Sequence, residues 1–130
     1  MIKHCLSKIS LLLILVAVLS SCQQKRSGKP RVLVFSKTAG FLHNSIEKGN
    51  AAIQKLGLEN DFVVDTTSNA DRFVEDSLKN YSAVVFLNTS GDVLNNYQEA
   101  DFERYIQAGG GFVGIHSAAD SGTEWGWYGR

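Results

Sequence analysis

The chain has 130 residues, 44% of them hydrophobic and 20% charged, with 12 Gly and a single Pro. That length fits one domain, and the composition excludes a disordered chain, a collagen-like repeat and a disulfide scaffold. Lys and Arg number 13, as do Asp and Glu, but residues 32–130 hold only 7 basic residues against 13 acidic ones; without clustered cations, nucleic acid is not an expected partner.

Lys3, His4 and Lys8 precede the apolar run Leu11 to Leu19, which Ser20, Ser21 and Cys22 follow. This is the pattern of a secretion signal. Nine helical residues rise about 14 Å, half of the roughly 30 Å hydrocarbon core, so the run is too short to remain as a membrane span. Leu19-Ser20-Ser21-Cys22 resembles the bacterial lipobox. That resemblance implies removal of residues 1–21 and lipidation of Cys22. It also implies a lipoprotein anchored to a membrane and facing the periplasm, with Gln23 pointing to the outer membrane. Residues 22–30, rich in polar and basic side chains, then form a tether for a soluble domain. Cys5 lies in the discarded signal, which leaves the domain no thiol for a disulfide, a nucleophile or a metal.

Arg31 to Ser36 is a β-branched apolar run of the kind buried on both faces of a parallel sheet. After the loop Lys37 to His43, Asn44 and Glu47 have capping-box spacing. Ile46, Ala52, Ile53 and Leu56 then predict a helix of about three turns that stops at Gly57. Phe62 to Thr66 reads as a second strand, and Asp71 to Lys79 as a weaker helix with Phe73 and Leu78 inward. Ala83 to Leu87 is a third strand. The polar loop Asn88 to Asp92 leads to a second capping box at Asn96 and Glu99. The helix that follows turns Ala100, Phe102, Tyr105 and Ile106 inward and ends at Gly109-Gly110-Gly111. Phe112 to Ile115 is strand four.

Strands alternating with helices imply an α/β fold, a three-layer, doubly wound and mostly parallel sheet. Such sheets usually have five or more strands, so the chain reads as the N-terminal part of a longer domain, residues 31–130. Ligands bind outside the carboxyl ends of the strands, which selects the loops Lys37 to His43, Thr66 to Asp71, Asn88 to Asp92 and His116 to Glu124. Gly114-Ile115-His116-Ser117-Ala118 has the form of a nucleophile elbow, in which small residues two before and two after let the central residue take a strained backbone. Its centre is His116, where a Ser or Cys nucleophile would stand. Imidazole can serve there as general acid or base, or as a metal ligand. The alternative is a structural histidine at a crowded strand end. Ser36 to Gly40 has some likeness to a phosphate or flavin loop but lacks the usual glycine density.

Three segments together resemble the trehalose-utilisation, or ThuA-like, family. They are Arg31 to Phe41 with His43, Ser45 and Ile46; Val84 to Thr89 with Gly91 to Leu94; and Gly109 to Asp120 with Trp125 to Gly129. The resemblance implies a class I glutamine-amidotransferase-like fold with His116 in place of the elbow cysteine, so glutamine amide transfer is not expected. It implies a small-molecule sugar as partner: trehalose, a related glycoside or a 3-keto-sugar, met by a hydrolase- or lyase-like activity. On this reading His116, His43 and Asp120 are the candidate catalytic residues. Asn88, Thr89, Asp92, Ser117 and Trp125 are candidates for binding the sugar, with Trp127 and Tyr128 as further stacking surfaces. A divalent metal held by His43, His116 and a carboxylate is the alternative use of the imidazoles. A noncatalytic carbohydrate-binding module on the same scaffold is the alternative function.

Overall fold

The structure, a computed structural model, describes residues 28–129. The signal segment, the lipobox with Cys22 and most of the tether lie outside those residues. Strands β1 (Arg31–Phe35), β2 (Val63–Thr67), β3 (Ala83–Leu87) and β4 (Gly111–Ile115) form one sheet in the order β2-β1-β3-β4, with every neighbouring pair parallel. Helix α1 (Ile46–Glu59) joins β1 to β2, and α3 (Asn96–Gln107) joins β3 to β4. Between β2 and β3 lie a 3₁₀ turn (Ala70–Arg72) and the single-turn helix α2 (Glu75–Leu78). The α/β class and the parallel sheet read from the sequence are thus present, and the connections diverge on either side of β1 and β3.

The β-branched runs succeed as strands because both of their faces are covered. Leu33, Phe35, Val84 and Phe86 point to one side, where they meet Phe73, Leu78, Phe102 and Tyr105. Phe86 and Phe102 stack with ring centroids 5.4 Å apart, and Phe35 packs 4.5 Å from Phe73. Val34, Val85 and Leu87 point to the other side, where Ile53 of α1 covers them. Burial of each of these side chains contributes about 1.5–3 kcal/mol. Beyond α1 the second side is open: Val113 of β4 is 48% exposed.

Several local expectations need correction. The first capping box is absent: the residue before α1 is Ser45, whose side chain caps nothing. Instead the Ser45 hydroxyl accepts a hydrogen bond from Asn88, described below. Helix α1 also runs past Gly57 to Glu59, because Gly57 faces inward and its missing side chain lets the helix lie against β2. A Cβ there would stand 2.8 Å from the Phe62 carbonyl oxygen and from Val64. The expected inward Leu56 is consequently half exposed. The second capping box exists one residue earlier than expected, with Asn95 accepting from the Tyr97 and Gln98 amides while Gln98 accepts from the Asn95 amide. The weak helix of residues 71–79 is a 3₁₀ turn followed by one α turn. After β4 comes a 3₁₀ turn (His116–Asp120) rather than a helix start.

Candidate functional site

The carboxyl ends of the strands gather both histidines. β4 ends at Ile115, and His116 takes a left-handed backbone with φ of 55°. This conformation is uncommon for a side chain with a Cβ and costs of order 1–3 kcal/mol, so surrounding contacts must hold it. Those contacts are visible. A Cβ placed on Gly114 would stand 3.3 Å from the Ala118 methyl, so the small residues flanking His116 allow the chain to double back. The Ala118 carbonyl accepts a hydrogen bond of 2.8 Å from the Tyr128 hydroxyl, and burial raises the pKa of that phenol, which keeps it a donor. The elbow geometry expected from small residues around position 116 is therefore present, with an exposed imidazole at its tip.

His43 arrives from the loop after β1. That loop is pinned to the loop after β3 by a bridge between Thr38 and Ser90, by the Ala39 and Gly40 amides donating to the Ser90 carbonyl, and by the Ser90 hydroxyl donating to the Phe41 carbonyl. The result brings the His43 and His116 rings edge to face, with centroids 4.7 Å apart at 81°. Phe41 in turn meets His43 at 4.8 Å. Below them Asn88, also left-handed at φ of 52°, donates from its side-chain amide to the Ser45 hydroxyl at 2.9 Å. This ties the end of β3 to the start of α1.

The other expected site residues divide sharply. Asn88 is buried and structural in its contacts. Thr89 is fully buried, and its hydroxyl accepts from Ser121 at 2.8 Å, so it offers no surface to a ligand. Trp125 is buried as well: its indole N–H donates to Glu103, and its ring stacks on Trp127 and Tyr128. It belongs to the core and presents no open face to a sugar. Asp120 is exposed, and its backbone carbonyl accepts from the Gly91 amide. Among the described residues neither Asp120 nor any other carboxylate pairs with either imidazole. Asp92 is exposed in a different cleft, beside Lys37. The Ser117 hydroxyl, next to His116, is a buried polar group without a hydrogen-bond partner among the described residues.

A metal finds little support in this arrangement. Among the described residues no group of three His, Cys, Asp or Glu side chains comes together, and two imidazoles alone do not complete the usual four-ligand set. The described residues therefore do not fit a resident metal.

Comparison with known proteins agrees with the fold. A model of the ThuA, trehalose-utilisation family matches residues 31–130. The chain belongs to that family. A ThuA-like protein from Bacteroides uniformis ATCC 8492 has a similar solved structure, with 26% sequence identity and a TM-score of 0.64. The match covers 83% of this chain and 45% of that one, so the chain spans under half of the relative's length. No curated protein matches the chain. Within this ThuA domain, sequence reasoning missed Ser45 and Phe41, which support Asn88 and His43. Both stand in the first segment that carries the family resemblance, which was the available signal, but neither was given a role there.

Proposed function

We propose that this ThuA domain acts on a carbohydrate, trehalose, a related glycoside or a 3-keto-sugar, with His116 and His43 as the proton-transferring pair. The observation that carries this reading is the edge-to-face contact of the two imidazoles above a strained elbow at the carboxyl end of the sheet. Imidazole can both take and give a proton near neutral pH, and two rings at one place can each serve the same bound sugar, one as acid and the other as base. Neither ring is tied to a carboxylate, so orientation rests on the Phe41 edge, the elbow backbone and the pinned loop. Replacing His116 by Gln in the full chain should lower turnover of the responsive sugar by about 10²–10⁴-fold, the usual worth of a general acid or base. Unchanged turnover would remove His116 from the chemistry.

The noncatalytic reading keeps one observation in its favour, the lack of a carboxylate partner for the imidazoles among the described residues. Sugar binding without turnover in the wild-type chain would favour it. We further propose that Cys22 carries a lipid that anchors the domain to the bacterial membrane, facing the periplasm. The lipobox-like Leu19-Ser20-Ser21-Cys22 supports this, and Cys22→Ser should move the protein from the membrane to the soluble fraction. Retention in the membrane fraction would count against it.

A further inference from the structure

The loops after β1, β2 and β3 enclose a second opening on the α3 side of the sheet, a cleft of about 430 Å³ lined by polar side chains. That volume lies within the range of small-molecule sites. It stands apart from the histidines because the Thr38 and Ser90 bridge closes the space between the two loops. We propose that this cleft binds an uncharged sugar ring.

The donor and acceptor set carries the proposal. Three amide side chains, Asn69, Asn95 and Gln98, line the cleft, and each has its oxygen committed to capping. Asn69 accepts from the Asp71 amide, Asn95 from the Tyr97 and Gln98 amides, and Gln98 from the Asn95 amide. Their NH₂ groups donate to nothing among the described residues. Fixed oxygens fix the nitrogens too, so three donors are held in place before a ligand arrives, and little side-chain entropy remains to be lost on binding. Lys37 is likewise held, its ammonium donating to the Val93 carbonyl at 2.9 Å with further N–H bonds to give. Asp71 and Asp92 supply acceptors. A ligand that both donates and accepts at several points of its rim satisfies this set, and a hydroxylated ring does so.

Charge argues against an anion. One cation faces two carboxylates in the cleft, and outside its lining Glu99 has its pKa raised by burial and by the neighbouring carboxylates of Asp92 and Glu103. The local field is thus negative, which opposes phosphate and acidic sugars.

The inference deepens the carbohydrate reading and rests on it for the choice of probe. Two-dimensional NMR of the full chain, titrated with trehalose, glucose and separately with inorganic phosphate, tests both. The sugar should shift the side-chain amide signals of Asn69, Asn95 and Gln98 with the backbone signals of residues 68–71 and 92–95. The same shifts should persist in His116→Ala. Asp71→Asn and Asp92→Asn should each weaken the sugar about tenfold, as expected for exchanging a hydrogen bond to a charged acceptor for one to a neutral amide. Sugar shifts confined to the loops of His43 and His116 would overturn the cleft proposal and leave the catalytic reading standing. Shifts in the cleft alone would do the reverse. Phosphate producing the cleft shifts where sugars do not would also overturn it.

Discussion

The two sides of the sheet are built differently. The α3 side is filled by interlocking rings, with Phe35, Phe73, Phe86 and Phe102 all fully or almost fully buried and Tyr128 and Trp125 stacked beyond them. The α1 side is thinner: three buried aliphatic residues under one helix, with Leu56, Leu58 and Val113 left open to solvent. Yet the imidazole pair depends on the thin side, since Asn88 ties to Ser45 where α1 begins and His43 lies two residues before that serine. Stability and the candidate chemistry are thus concentrated on opposite faces of one sheet. The elbow is the point where they meet, because Tyr128, part of the aromatic side, holds the Ala118 carbonyl.

This contrast can be broken or sharpened by substitution. Phe102→Ala removes a fully buried ring from the aromatic side and should cost about 3–5 kcal/mol, read as a lower urea midpoint, without altering the imidazole signals of the chain that remains folded. Leu87→Ala on the thin side should cost less, about 2–4 kcal/mol. It should nevertheless shift the His43 and His116 ring signals, because Leu87 immediately precedes Asn88 and supports α1 at Gly49. If Phe102→Ala moves the ring signals and Leu87→Ala leaves them unchanged, the division between the faces is wrong.

Much of this was legible in the sequence, for identifiable reasons. Runs such as Ala83 to Leu87 name buried parallel strands because nothing polar interrupts them, and Phe73, Leu78 and Phe102 proved fully buried as expected. The inward face of α1 was legible only in part: Ile46 and Ile53 face inward as expected, whereas Ala52 and Leu56 are exposed. Its seam is made of Ile46, Gly49, Asn50, Ile53 and Gly57, where small residues permit close approach, while two leucines that look like core point outward. The second capping box was displaced because Asn95 with Gln98 and Asn96 with Glu99 have equal spacing, and only the backbone decides between them. At the site, His116 and its strained turn followed from Gly114 and Ala118. The separation of Asp92 from the histidines did not, because it depends on the bridge between Thr38 and Ser90, a contact between loops 52 residues apart in sequence. Trp125 misled because an aromatic near a chain end reads equally as a sugar platform or as core, and its packing against Phe102 makes it core.

The central claim is that His43 and His116 work as one unit on a sugar. A double-mutant cycle tests it most directly: kcat/KM of the wild-type chain, His43→Gln, His116→Gln and the double variant, measured on the sugar that the wild type turns over. If the touching rings share a proton-transfer step, each single replacement removes most of the activity, and the double variant is no worse than the poorer single one. Losses that multiply in the double variant, or either single variant with wild-type turnover, would contradict it.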